Sequence, residues 1–278
     1  MIDIGSRLNA INTLIADGTD KSLRYAALES RLTIELICYE RLLVSYDYIS
    51  YGDLRKWQPK DVIQQVIEDA NENAASTFTL SISSASIEKT SSPQSKEDYE
   101  KFEYVPVGTQ IGFDFRVLGK LWNALSNLAL HIQLPKSRMD EMPLYADSKI
   151  LKEKICETVK ELEKLGEGNM SASSFGPEYS FECVSCQTVI KKKMNQLRND
   201  QVVSCLSQSC LESYRIHVED NEIFHSRRIL NVTCDKCNFL NLVPAEKLEK
   251  LRIGQTFDVF CASCTGTLVV EPVLCKRN

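Results

Sequence analysis

Residues 256–270 read TFDVFCASCTGTLVV, and this stretch decides the fold of the C-terminal third. Thr256, Phe257, Val259 and Phe260 lead into Cys261. Thr267, Leu268, Val269 and Val270 lead away from Cys264. β-branched and aromatic residues on both sides of a tight turn describe two short strands. Gly266 is available for that turn, and two thiols sit side by side at its tip.

Working outward, the pattern recurs. Cys234 and Cys237 form a second Cys-x2-Cys pair, followed by the apolar residues Phe239, Leu240, Leu242 and Val243. Upstream, Cys183 and Cys186 form another, and Cys205 and Cys210 a looser Cys-x4-Cys pair. Two such turns brought together by strands give four thiolates around one ion, a donor set that suits zinc. An iron–sulfur centre also takes four thiolates, but the paired spacing favours zinc. Redox Cys-x2-Cys pairs usually stand singly at a strand-to-helix junction, which three copies alternating with strands do not match. The expectation is two structural Zn2+ ions, one on Cys183, Cys186, Cys205 and Cys210, the other on Cys234, Cys237, Cys261 and Cys264. Interleaving of the pairs between the sites stays open. His217 and His225 are spare ligands that eight paired thiols make unnecessary.

TFDVFCASCTGTLVV closely resembles the second half of a rubredoxin-like zinc ribbon, over about residues 230–273. The resemblance implies a metal fold and no activity. Residues 181–215 resemble a ribbon less closely because of the longer second pair.

The chain has 278 residues and eleven cysteines, of which only Cys38 and Cys156 precede residue 180. These two read as buried helix residues, and Cys275 as a free thiol. No apolar run reaches the roughly 20 residues of a membrane span, and the first 22 residues have no apolar core of signal-peptide type. A reducing, cytoplasmic setting is the expectation, in which cysteines are more often metal ligands or catalytic thiols than disulfides.

The first part of the chain has helical period. Leu28, Leu32, Leu36, Tyr39, Leu43 and Tyr46 recur at steps of three and four, which predicts a helix over 22–49 buried along that stripe. Shorter helices are expected at Leu8–Ile15 and from Lys60 to about Asn73, with Pro59 at the first turn of the latter. Phe78, Leu80 and Ile82 alternate with Thr and Ser, and Phe102, Tyr104 and Val107 resume the alternation. These predict a hairpin inserted at 76–112, with a mobile loop at 88–100. Leu118, Leu121, Leu125, Leu128 and Ile132 form a core stripe on a helix over 114–132, ended by Pro135. A further helix runs from Asp147 to Leu165. The fold class is therefore α+β: a mainly helical domain at 1–166 with the inserted hairpin, a linker at 167–180, and two small β zinc ribbons at 181–228 and 229–278.

Opposite the leucine stripe, Lys120, Asn123, Asn127 and His131 share a face that is either hydrated or a polar pocket with Arg31, Glu35 or Glu40. SRLTIELICYERL at 30–42 and LWNALSNLALHIQLP at 121–135 resemble the HEPN class of helical bundles. That resemblance implies metal-independent RNA cleavage by a toxin or defence protein, with His131 catalytic and Asn127 beside it. The HEPN motif sets four to six residues between an Arg and the His; here those positions are Ser126, Leu125 and Ala124. Arg116 is 15 residues from His131, about 22 Å along a helix.

The formal charge is −5. Residues 176–278 carry 13 basic and 12 acidic side chains, a formal +1. Each zinc–tetrathiolate contributes −2, so two filled sites bring that region to about −3. Any grip on phosphates then rests on local clusters: Lys191, Lys192, Lys193 and Arg198, and Arg215, His217, His225, Arg227 and Arg228. There is no Gly-rich phosphate loop, His-Glu-x-x-His helix or Gly-x-Ser-x-Gly elbow. The sequence thus points to a non-enzymatic zinc protein whose ribbons bind nucleic acid or a protein partner, with the RNA-cleaving reading as the alternative.

Overall fold

A computed structural model describes residues 2–49, 54–83, 95–132, 137–138, 147–172, 175–207, 209–220 and 222–273. It is mixed helix and strand with small antiparallel sheets. The chain divides into two units, one of residues 1–46 and 54–174, the other of 47–53 and 175–278.

The first unit opens with α1 (Ile4–Asp17) and α2 (Asp20–Leu43). Gly18 ends α1 in the left-handed region at φ 69°, where glycine carries no Cβ penalty. Thr19 then caps α2 by accepting from the Ser22 amide at 3.1 Å. The face that α2 buries is not its leucine stripe. Leu23, Ala26, Ala27, Ser30, Thr33, Ile34, Ile37, Cys38 and Arg41 are buried, whereas Leu28, Leu32, Leu36 and Tyr39 are half-buried and Leu43 and Tyr46 exposed. α2 is the central helix, packed against all the other long helices of the unit. Small and β-branched side chains let neighbouring backbones come close on that side. Periodicity reports apolar area, and here close approach decided instead.

Around α2 lie α3 (Pro59–Asp69), α5 (Phe115–Leu125) and α6 (Ser148–Gly166). Asp114 and Asp147 cap the last two through their side chains. The core joins Ile11, Ile34, Ile63, Leu118, Leu125, Ile155 and Leu162. The chain past Leu125 is a π-helical turn, Ser126–Leu130, and at His131 the backbone turns extended at φ −121°. The wider turn rotates the buried face, so Ala129 goes inside while Ile132 emerges 55% exposed. Pro135, expected to end this helix, lies outside the described residues.

The hairpin pairs β1 (Phe78–Ser83) with β2 (Tyr104–Gln110). Its register shifts between Leu80 and Ser81, opposite Pro106 and Val107. Val107 on β2 is left unpaired there, and past this bulge Ile82 faces out, whereas Phe78 and Leu80 before it are half-buried. Of the loop expected at 88–100, residues 88–94 lie outside the described residues, and Ser95 caps a single turn, α4 (Lys96–Tyr99). At the base of β2, fully buried Gln110 accepts from the Arg41 guanidinium and the Ala172 amide, and donates to the Asn73 and Ser76 carbonyls. Residues 167–172, expected as linker, are pinned there: Asn169 exchanges hydrogen bonds with the Thr109 backbone, and Asn71 reaches the Ala172 carbonyl.

The second unit is built of hairpins. β3 (Glu178–Glu182) pairs with β4 (Val189–Lys193). β5 (Val202–Ser204), β6 (Ser213–Glu219) and β7 (Glu222–Arg227) form a three-stranded sheet. β8 (Ile229–Thr233) pairs with β9 (Leu240–Pro244), and β10 (Phe257–Phe260) with β11 (Thr267–Val270). The short helix α7 (Ala245–Glu249) follows β9. An early segment joins this unit. The Tyr48 hydroxyl donates to Glu178 at 2.5 Å, its carbonyl accepts from Lys192, and Lys193 Nζ lies 4.8 Å from its ring centroid. Tyr48 and Ile49 are buried.

Candidate metal centres

Each pair of cysteines sits at the tip of a hairpin. Cys183 and Cys186 lie between β3 and β4, and Cys205 and Cys210 between β5 and β6. Cys234 and Cys237 lie between β8 and β9, and Cys261 and Cys264 between β10 and β11. The tips meet two by two. Cys183 faces Cys210 at 3.6 Å between sulfurs, and Cys186 faces Cys205 at 3.4 Å. In the second site Cys234 and Cys264 are 3.7 Å apart, and Cys237 and Cys261 3.6 Å. All four sulfurs of each site lie within 4.8 Å of one another, and the knuckles do not interleave between sites.

A tetrahedron with zinc–sulfur arms of 2.3 Å has edges of about 3.8 Å, so a single zinc ion fits either cage. A disulfide requires sulfurs about 2.05 Å apart, and these cysteines are free thiols. Each cage is too small for a cluster of several irons. The chemistry of the donor set and its size therefore agree.

The knuckles close by a shared device. The Cys183 amide donates to the Thr188 carbonyl, Cys234 to Phe239, and Cys261 to Gly266, each five residues ahead. The Cys205 amide donates to Glu212, seven ahead. The two extra residues of Cys-x4-Cys are thus absorbed within the loop, and the closing bond survives. Gln187 and Asn238, each directly after its knuckle's second cysteine, take left-handed backbone at φ 60° and 57°.

A buried polar residue braces each site, and neither was singled out in the sequence. At the first, Glu212 is 2% exposed; its side chain accepts from Ser185, between Cys183 and Cys186, and its carbonyl holds Cys205. Arg227 grips that carboxylate through Nε at 2.8 Å and Nη2 at 2.6 Å. Against the penalty of burial, the Arg227 and Ser185 hydrogen bonds hold the Glu212 carboxyl below its ordinary value. At the second site, Asn241 plays this part. No sequence motif marks either residue, because each acts across strands.

The other basic candidates divide. Lys192 and Lys193 are buried on Tyr48 and Glu178, Arg227 is held by Glu212, and Arg228 by Ser213 and Glu249. Lys191 is half-buried and Arg198 exposed. His225 stacks on Phe181 at 3.8 Å, with Nδ1 2.7 Å from the Tyr179 hydroxyl. His217 stacks on Phe224 at 5.4 Å. Neither histidine belongs to a sulfur cage.

In the first unit, Asn127 and His131 are exposed on and after the π-turn. Arg24 donates through Nε to the Ala129 carbonyl, two residues before His131. Arg31 and Glu35 instead meet Trp122: its indole N–H donates to Glu35 at 2.8 Å, and the Arg31 guanidinium lies 4.2 Å over its ring. Glu40 turns elsewhere, accepting from the Ile2 amide and the Ser171 hydroxyl beside a cavity of about 480 Å³. Cys38 is buried in the core, which raises its thiol pKa; Cys156 is half-buried, and Cys275 lies outside the described residues. Among the described residues no helix is long and apolar enough to cross a membrane.

No family model matches the chain, and neither the curated proteins nor the solved structures compared with it include a match.

Proposed function

We propose that this chain is a non-enzymatic, zinc-stabilised binding protein whose ribbons engage a protein partner. The observation that carries this reading is the pair of closed four-sulfur cages. Four protein ligands leave zinc no open position for water or substrate, so its contribution is to folding. Support for protein over nucleic acid comes from what faces outward. Leu240 and Leu242 on β9, Phe260 on β10 and Val269 on β11 are exposed, Phe260 by 74%. Of the seven Lys and Arg candidates, Lys192, Lys193, Arg215, Arg227 and Arg228 have internal partners, and filled cages would make the region anionic.

Metal analysis of the purified full chain should return two zinc ions. Chelation should unfold residues 178–270 and leave most of the helical circular dichroism; complete loss of it, or less than about one zinc per chain, would overturn the scheme. For the partner, Phe260→Asp with Val269→Asp should abolish protein cross-linking in the native host while both ions stay bound. RNA in the cross-linked material, or recovery unchanged by the substitutions, would count against a protein ligand.

The RNA-cleaving reading keeps one supporting observation, Arg24 anchored two residues from His131. Equal cleavage by wild type and His131→Ala would end it.

A further inference from the structure

The two cages match in sulfur spacing and in the burial of their ligands. They differ in what touches the sulfurs from outside. Tyr214, on β6, is 1% exposed and packs edge-on against Phe181 at 4.9 Å. Its hydroxyl oxygen accepts from the Val184 amide at 2.9 Å and lies 3.4 Å from Cys183 Sγ. With the oxygen's lone pair directed to Val184, the hydroxyl proton points at the sulfur. The Thr188 hydroxyl lies 3.2 Å from Cys186 Sγ and donates to it once that group is a thiolate. Among the described residues, no side-chain hydroxyl or amide makes such a contact with Cys234, Cys237, Cys261 or Cys264.

We propose that Tyr214, supported by Thr188, is a positioning residue that fixes the first site's ion, and that the second site is the one that exchanges its metal. The proposal rests on the zinc reading given above. An O–H donor directed at a ligand sulfur fixes that sulfur's position and opposes the ligand movement that begins metal exchange. Outer contacts of this kind change metal affinity by about 10–100-fold. The first cage has two of them; at the second, backbone closure and the Asn241 brace hold the knuckles without a donor on a sulfur. The chain then holds one lasting and one exchangeable ion. The exchangeable one underlies the apolar faces of Leu240, Leu242, Phe260 and Val269, so metal supply controls whether that surface exists.

The test is zinc transfer from the full-length protein to a chromogenic chelator. Fewer than two zinc ions in the starting material would reject the zinc reading itself, and the proposal with it. With two bound, transfer should occur in two phases about tenfold or more apart in rate. Cys237→Ser should remove the fast phase. Tyr214→Phe keeps the ring and should speed the slow phase about tenfold while the fast phase stays unchanged. Thr188→Val, which leaves the Val184 contact intact, should shift the slow phase in the same direction. In the cobalt-loaded protein, Tyr214→Phe should move the sulfur-to-metal charge-transfer band of one site only. A single phase in wild type, equal acceleration of both phases, or no change on Tyr214→Phe would overturn the proposal.

Discussion

The Asn241 side-chain carbonyl accepts a 3.0 Å hydrogen bond from the Ala262 amide, and this contact ties together the two knuckles of the second site. Ala262 stands between Cys261 and Cys264. The same side chain donates through Nδ2 to the Val232 carbonyl at 3.3 Å and to Phe239 at 3.4 Å, and Phe239 also receives the Cys234 amide. One buried amide on β9 therefore fixes the separation of both sulfur pairs.

Asn241→Ala should lower the stability of the second ribbon by about 1 kcal/mol, because it removes the part-buried hydrogen bond that joins the two knuckles. Asn241→Asp should lose more: it keeps the acceptor but places a carboxylate beside an anionic cage. A chelator-competition midpoint for the second ion, with the first unchanged, measures both.

Gly266→Ala tests crowding. A methyl group there would stand 3.2 Å from Cys264 Sγ, 3.5 Å from Cys234 Sγ and 3.1 Å from Lys236 Cδ. The lysine end can move, whereas an ion held by the four sulfurs would fix them in place. The substitution should cost about 1–3 kcal/mol, read as weaker zinc retention at the second site. Adding Lys236→Ala should not restore it.

Arg227→Ala removes both guanidinium hydrogen bonds and the countercharge of Glu212, whose carboxylate is 2% exposed, and leaves it the Ser185 hydroxyl. An uncompensated buried charge is expensive, and a loss approaching about 3 kcal/mol is expected in the thermal melt of the zinc unit. Glu212→Gln with Arg227→Met should recover much of it. A drop in RNA binding by Arg227→Ala alone would therefore report unfolding rather than a lost phosphate contact.

His225 supplies a pH signature. Burial against Phe181 and Tyr179 pushes its pKa below the ordinary 6.5. The unfolded chain then takes up a proton near pH 6.5 that the folded chain does not, so stability falls as pH drops from 6.5 toward the folded value. His225→Phe should lose less thermal stability between pH 7.5 and 5.5 than wild type. Thiolate protonation acts on both proteins and cancels in the difference.

The sulfur cages were legible because their chemistry is local. Two residues between cysteines already bring the thiols together, and alternating strand residues close the knuckle. The helices were legible in extent and less so in orientation. The leucine stripe of α2 obeyed the right period, yet Ala26, Ala27 and Ser30 went inside because four helices converge on that face. The Val107 bulge and the π-turn at Ser126–Leu130 each change a face by inserting one residue into a regular repeat, which averaged periodicity does not detect. Glu212, Tyr214 and Asn241 carry no motif at all. Lys192 and Lys193 looked like a solvated basic cluster because their partner, Tyr48, lies more than 140 residues earlier in the chain.

That partner makes the cysteine-bearing unit discontinuous in sequence. The backbone passes between the two units three times, after residues 46, 53 and 174. A single proteolytic nick near residue 175 therefore produces two fragments that remain associated, since the N-terminal one still holds Tyr48 and Ile49 within the zinc unit. Conversely, a recombinant fragment starting at residue 175 lacks those side chains and exposes the Lys193 ammonium that they cover. The boundary at which this chain separates into independent pieces is thus not any one peptide bond.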